Sequence, residues 1–274
     1  LTAPTQRILL VVQYDGTGFH GSQVQPGVRT VQGTLTEALS EIVGRKVRLL
    51  FASRTDAGVH ATHNTAVAVM PRLPFPVAKL ADVLNDKLPR DLVVVDAFEV
   101  PRGFHPRYYA WKRDYCYRID RGRRPDIRYA RFAAHYPHPL EVPAMQLAAQ
   151  LFLGEHDFSS FAIEDEGVKN PVCTVYKCIL GDRGRLLTVR VGANRFLRRM
   201  VCLMVGSLVD IGNGRFQLDQ LAGALERQER QHFTNMPGRG LTLTGVHYPE
   251  RLLYEGSDES ADDDEETCGD TDDE

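Results

Sequence analysis

Two β-rich apolar runs, 46–52 and 65–70, bracket the stretch Ser53-Arg54-Thr55-Asp56-Ala57-Gly58-Val59-His60-Ala61. Strands on either side of so short a polar stretch predict a strand–turn–strand unit, and Gly58 lets its backbone turn tightly or approach a ligand closely. One carboxylate, Asp56, then sits on the turn with Arg54 two residues away. Arg54 can hold Asp56 ionised and orient it, or bind an anionic substrate. On chemistry alone Asp56 is a candidate nucleophile or general base. A structural Arg–Asp turn at the surface has the same pattern.

Around this unit the chain reads as an alternation of strands and helices. Residues 7–14 alternate Ile8, Leu10 and Val12 with Leu9, Val11 and Gln13, which predicts a strand. Over 30–43, Val31, Leu35, Ala38, Leu39 and Ile42 fall on one helical stripe. A helix opening on proline is predicted for 76–88, and a strand for 92–100. These make a first α/β half, residues 1–103. The second half, 104–254, holds a strand at 114–119, a helix at 143–153, a strand pair at 172–180 and 186–191, a long helix at 194–211 and another at 218–227. Strands mixed with helices and hairpin-like joins favour an α+β fold.

Composition bounds the function. At 274 residues, 43% hydrophobic and 25% charged, the chain is of ordinary globular make-up, and no apolar run approaches the ~20 residues of a membrane span. No secretory signal is visible at the start. Five scattered cysteines without zinc-type spacing suggest a reducing cytoplasm. The net charge of −3 conceals an asymmetry: residues 255–274 hold twelve acidic residues and no Lys or Arg, so the remainder has 33 basic against 24 acidic, a net of +9. Such a body suits a polyanionic partner. The acidic tail, 255–274, is expected to be disordered. It acts either as a solubilising tail or, in a sharper version, as a competitor folding over the basic cleft.

The stretch around Asp56 closely resembles the RTDAGVHA signature of the tRNA pseudouridine synthase A family. Further blocks match in order: Tyr14-Asp15-Gly16-Thr17 through Gly21-Ser22-Gln23; Asn85-Asp86-Lys87-Leu88-Pro89; Phe104-His105-Pro106-Arg107 through Tyr115-Cys116-Tyr117; Ala193-Asn194-Arg195-Phe196-Leu197 through Met200-Val201 and Val205-Gly206; and Gly240-Leu241 to Tyr248-Pro249. Ordered blocks over about residues 7 to 250 carry far more weight than one short motif.

The resemblance implies two similar α/β halves with mainly antiparallel sheets meeting around a central basic cleft, the pseudouridine synthase fold. It implies isomerisation of uridine to pseudouridine in the anticodon stem-loop of tRNA, typically at positions 38 to 40, by a homodimer. That reaction breaks N1–C1′ and joins C5 to C1′, so it requires no cofactor and no metal. It requires a carboxylate, Asp56, and a surface for the unstacked base, Tyr115 with Leu241. Arg54 is expected at the substrate. Phe104, His105 and Arg107 are expected at the RNA, with Arg123 and Arg124 in a basic cluster that also contains Arg121 and Arg128. A solvated loop is the alternative for that cluster.

Rival motifs point elsewhere. Gly16-Thr17-Gly18-Phe19-His20-Gly21 fits G-x-G-x-x-G, but a dinucleotide site needs the helix to open at the third glycine, and here the helix starts only near Thr30. His60 and His63 have helical ligand spacing inside a stretch that reads as strand, so a metal site is not expected. Tyr115 and Tyr117 share one strand face, which is also the ordinary core pattern. Cys173 and Cys178 read as core or edge thiols.

The chain departs from the family pattern twice. Gly-Trp-Gln is Gly21-Ser22-Gln23 here, which removes an aromatic from a loop expected to face RNA. The usual Met-Val-Arg is Met200-Val201-Cys202, and in the family that arginine pairs with the catalytic carboxylate. A thiol cannot replace a guanidinium. Arg198 or Arg199, about a turn earlier, is expected to reach Asp56 instead. The rival reading is a catalytically impaired tRNA-binding, RNA-folding protein of the same fold.

Overall fold

The computed structural model describes residues 5–163, 170–226 and 231–250. The acidic tail and the last residue of the helix expected at 218–227 lie outside them. In chain order the elements are β1 (Thr5–Tyr14), α1 (Val31–Val43), β2 (Arg48–Phe51), β3 (His60–Pro71), α2 (Leu80–Asn85), β4 (Leu92–Glu99), α3 (Pro106–Tyr109), β5 (Lys112–Asp120), β6 (Ala134–His135), α4 (Val142–Gln150), β7 (Gly154–Asp157), β8 (Val172–Arg183), β9 (Leu186–Ala193), α5 (Met200–Gly212), α6 (Leu218–Glu226) and β10 (Leu241–His247). The fold is α+β, as the strand and helix pattern predicts.

All strands join one sheet in the order β4-β1-β3-β10-β5-β9-β8-β7, with β2 beside β3 and β6 beside β5. Pairing is antiparallel except for β3 with β10 and β5 with β6. The strand between β3 and β5 is β10, a stretch that the strand and helix pattern leaves unassigned. It lies parallel to β3 through Thr242 and His60, and antiparallel to β5, with Leu241 opposite Tyr117 and Leu243 opposite Tyr115.

Alternation along the strands separates the two faces. Ile8, Leu10, Val12 and Tyr14 join Tyr115, Tyr117 and the apolar faces of α1, α4 and α5 in the main core. Leu9 on the opposite face packs with Val67, Val100 and Phe104 in a smaller cluster. Helix α1 starts at Thr30, whose Oγ1 accepts from the Gly33 amide at 3.2 Å, and ends at Gly44 in the left-handed conformation.

One expected helix differs. Residues 194–199 are not helical; α5 begins at Met200. Asn194 diverts the chain, because its Oδ1 accepts from the amides of Arg195 (2.7 Å) and Thr174 (2.9 Å). Such side-chain bonds to nearby backbone compete with helix formation. Arg199 follows as the N-cap at φ 63°, in left-handed conformation. Almost every residue of α5 is buried, as befits a central helix.

Candidate active site

The turn carrying Asp56 joins β2 to β3, which pair antiparallel from Arg48–Val69 to Phe51–Ala66. Gly58 adopts φ +75°, a conformation that favours glycine, and the Val59 amide donates to the Asp56 carbonyl at 3.1 Å to close the turn. Thr55 anchors it from below. Its Oγ1 shares a 2.8 Å hydrogen bond with the Tyr14 hydroxyl, and its amide donates to Ser22 Oγ at 2.8 Å. Asn64 Nδ2 donates to both the Tyr14 hydroxyl (3.1 Å) and the Ser53 carbonyl (3.0 Å). Thr55 is therefore buried, while the neighbouring Asp56 side chain is 37% exposed. Arg54, on the other side of Thr55, points to solvent.

The glycine-rich loop clamps this turn rather than opening a helix. Gly16–Gly18 is a single 3-10 turn, and the Gly16 amide donates to His60 Nδ1 at 3.0 Å. The other imidazole nitrogen, Nε2, then carries the proton and donates to the Arg239 carbonyl at 3.2 Å. His60 and His63 occupy opposite faces of β3.

Opposite the turn, Arg199 Nη1 lies 3.8 Å from Asp56 Oδ2. Arg198, the other candidate, is exposed. Tyr115 is buried beneath, edge-on to Phe196 at 5.0 Å. Burial first, then Tyr14 and the Asp56 charge, push its hydroxyl pKa well above the usual phenol value, against the lowering effect of Arg113. Leu241 shares that face of the sheet two positions along, opposite Tyr117. Cys202 is buried, and burial raises its thiol to about 11, with Asp56 adding to the rise and Arg199 opposing it. The site thus sets the Asp56 side chain beside the Arg199 guanidinium, over a thiol and a phenol that burial keeps protonated at neutral pH. A carboxyl group so placed can act as nucleophile or base beside an aromatic wall.

A family described as tRNA pseudouridine synthase matches residues 10–109 and 148–249, which takes in the Asp56 turn, α5 and β10. The chain belongs to the tRNA pseudouridine synthase family. Relatives named tRNA pseudouridine synthase A include those of Roseiflexus castenholzii, 40% identical over 89% of this chain and 92% of the relative. Those of Pseudothermotoga lettingae (38%, over 89% and 100%) and Halalkalibacterium halodurans (40%, over 86% and 90%) are similar.

The remaining residues expected from the pseudouridine synthase resemblance divide by position. Phe104 is not a surface contact: it is fully buried, with Tyr109 and Tyr248 rings at 5.3 and 5.2 Å. Its aromatic bulk is spent on packing, which fixes the start of α3. His105 caps α3, its Nδ1 accepting from the amides of Arg107 (3.2 Å) and Tyr108 (3.4 Å). Burial and then Arg7, Arg107 and Arg48 lower its pKa, which keeps the accepting nitrogen unprotonated. Arg107 is exposed. The buried Arg113 ties this segment to the loop before α5, donating to the carbonyls of Arg107 (2.5 Å), Ala110 (2.7 Å) and Asn194 (2.7 Å).

The basic cluster also divides. Arg121 and Arg128 are engaged with Asp182 and Asp126. Arg123 and Arg124 are exposed on a loop fixed by Asp120, which accepts from Arg185 Nε at 2.7 Å and the Gly122 amide at 3.0 Å. Ser22, where the family usually has tryptophan, is buried as the acceptor for the Thr55 amide. The sequence gives no family signal for that role. A small hydroxyl residue directly after a turn-forming glycine, Gly21, is the available clue.

Proposed function

We propose that this member of the tRNA pseudouridine synthase family isomerises uridine to pseudouridine in the anticodon stem-loop of tRNA, with Asp56 as the nucleophile. The observation that carries this is the turn itself: Thr55 buried and bonded to Tyr14 and Ser22, Asp56 next to it and open to solvent, and a guanidinium at 3.8 Å. Asp56 attacks the ribose–uracil unit, and its bond to that unit breaks again as the product forms, which regenerates the carboxylate. N1 parts from C1′, the uracil turns, C5 bonds to C1′, and the C5 hydrogen leaves as a proton while N1 gains one. Tyr115 and Leu241 form the wall for the displaced base. Arg54, Arg107, Arg123 and Arg124 are exposed cations for phosphates, with His105 fixing the segment that carries Arg107. The enzyme works as a homodimer in the cytoplasm. Among the described residues no helix is long and apolar enough to cross a membrane.

Tritium release from tRNA labelled at uridine C5 tests the reading. Wild type releases tritium and Asp56→Asn does not, while both bind tRNA alike. Binding without release by either protein would instead support the non-catalytic RNA-folding role.

A further inference from the structure

Helix α5 carries a stripe, Cys202, Gly206 and Asp210, spaced so that all three fall on one face, with Arg199 at the N-cap just before it. The segment 233–237 lies along that stripe. At its start Asp210 holds Thr234: Oδ2 accepts from the Thr234 amide at 2.7 Å and Oδ1 from its hydroxyl at 2.8 Å. At Gly206 the Thr234 carbonyl sits where a Cβ would be, so the segment approaches the helix as only glycine permits. The Met236 amide then donates to the Cys202 carbonyl at 3.4 Å. Beyond it, the Pro237 carbonyl accepts from the Tyr117 hydroxyl at 2.7 Å. Between these ties Asn235 projects its amide oxygen at Arg199, accepting from Nε at 3.1 Å and Nη2 at 2.8 Å. Nη2 also donates to the Met236 carbonyl at 3.0 Å. The remaining guanidinium nitrogen, Nη1, faces Asp56.

We propose that Asn235 is a positioning residue: it fixes the plane of the Arg199 guanidinium so that Nη1 is presented to the Asp56 carboxylate. The inference rests on the reading of Asp56 as the nucleophile. Arg199 needs such a device. Among the described residues it alone, apart from glycines, has positive φ, and an arginine has many rotamers to lose. A planar fork held at Nε and Nη2 loses them once, before substrate arrives. The same arrangement accounts for Cys202. The cation comes from the turn before α5 and is oriented from outside the helix, so a small side chain suffices at 202.

A double-mutant cycle tests this under single-turnover conditions, with tritium release as the rate and tRNA affinity measured separately. Asn235→Ala is expected to lower the rate about tenfold with tRNA affinity unchanged, and to have no further effect in an Arg199→Ala background. Cys202→Arg is expected to restore rate to Asn235→Ala by supplying a second cation. An equal loss from Asn235→Ala with and without Arg199 would overturn the proposal, since Asn235 would then act by another route. A readout independent of turnover is exchange of the Arg199 Nε proton with solvent, followed by NMR. It is expected to quicken at least several-fold in Asn235→Ala, and unchanged exchange would refute the fixing role even if the enzyme proved inactive. Release by Asp56→Asn at the wild-type rate would overturn the site reading instead, leaving the exchange result to decide the role of Asn235.

Discussion

The Asp56 carboxylate and the Arg199 guanidinium stand 3.8 Å apart, too far for a hydrogen bond and close enough for a strong field. That separation suits a nucleophile. A carboxylate bound tightly by a guanidinium fork has its lone pairs occupied, whereas a cation at this distance leaves the oxygens available for the attack proposed for Asp56. The family pattern puts this cation on the helix at the position of Cys202; this chain brings it from the turn that precedes the helix.

Arg199→Ala is therefore expected to cut turnover by roughly 100-fold, the scale of losing one preorganised charge-stabilising group, with little change in tRNA affinity. Arg198→Ala, at an exposed side chain, is expected to change turnover by less than about threefold and to act on affinity if at all. Single-turnover tritium release beside filter binding separates the two. Equal effects of both substitutions would mean that charge in this region matters, and not the pair.

Ser22 carries a second expectation. Its Oγ is the acceptor for the buried Thr55 amide, so Ser22→Ala leaves an unsatisfied donor under the Asp56 turn. The cost is about 1–3 kcal/mol of stability, read from urea unfolding. Ser22→Trp, which restores the usual family residue, is expected to destabilise further, because a large ring must enter a site that buries only a hydroxyl. A Ser22→Trp protein as stable as wild type would show that the loop re-forms around the aromatic.

How much of this was readable beforehand depends on the range of the interactions. Alternation announces β1, the apolar run 65–70 announces the later part of β3, and the bracketed turn announces Asp56, because those signals are local. The strand β10 was readable in principle from Leu241 and Leu243, yet its partners β3 and β5 are far away in sequence and one pairing is parallel. The N-terminal turn of α5 was misread as helix: its apolar residues have helical spacing, but Asn194 captures the local amides and Arg199 turns left-handed. Phe104 lies in a motif associated with RNA, and nothing in the motif says which of its residues faces inward. Asn235 gave no signal, since its meaning lies entirely in the orientation of Arg199.

The buried thiols predict a loss of stability on the alkaline side. Burial raises Cys173 and Cys202 to about 11 and Cys178 to about 12. A thiol whose pKa is higher folded than unfolded holds its proton more tightly in the native state. Its contribution is complete below the unfolded value of about 8.5 and falls away as pH rises toward the folded value, by up to ~1.4 kcal/mol per pH unit for each group. The urea midpoint should hold steady from pH 7 to 8 and decline from pH 9 to 10.5, and Cys178→Ala should show a shallower decline. A flat profile to pH 10.5 would mean that these thiols are reached by water.

Phe104 and Arg107, three residues apart, are expected to fail in opposite ways. Phe104→Ala empties a fully buried site against Tyr109 and Tyr248, a change worth about 3–5 kcal/mol of stability. Arg107→Ala removes an exposed guanidinium whose own backbone carbonyl stays held by Arg113, so the fold should be kept. Its loss should weaken tRNA binding and reduce the slope of log affinity against log salt by about 0.7–0.9, the signature of one phosphate contact. Thermal unfolding with a salt titration of tRNA binding distinguishes them. An unchanged salt slope in Arg107→Ala would remove this arginine from the RNA surface and leave α3 as a purely structural turn.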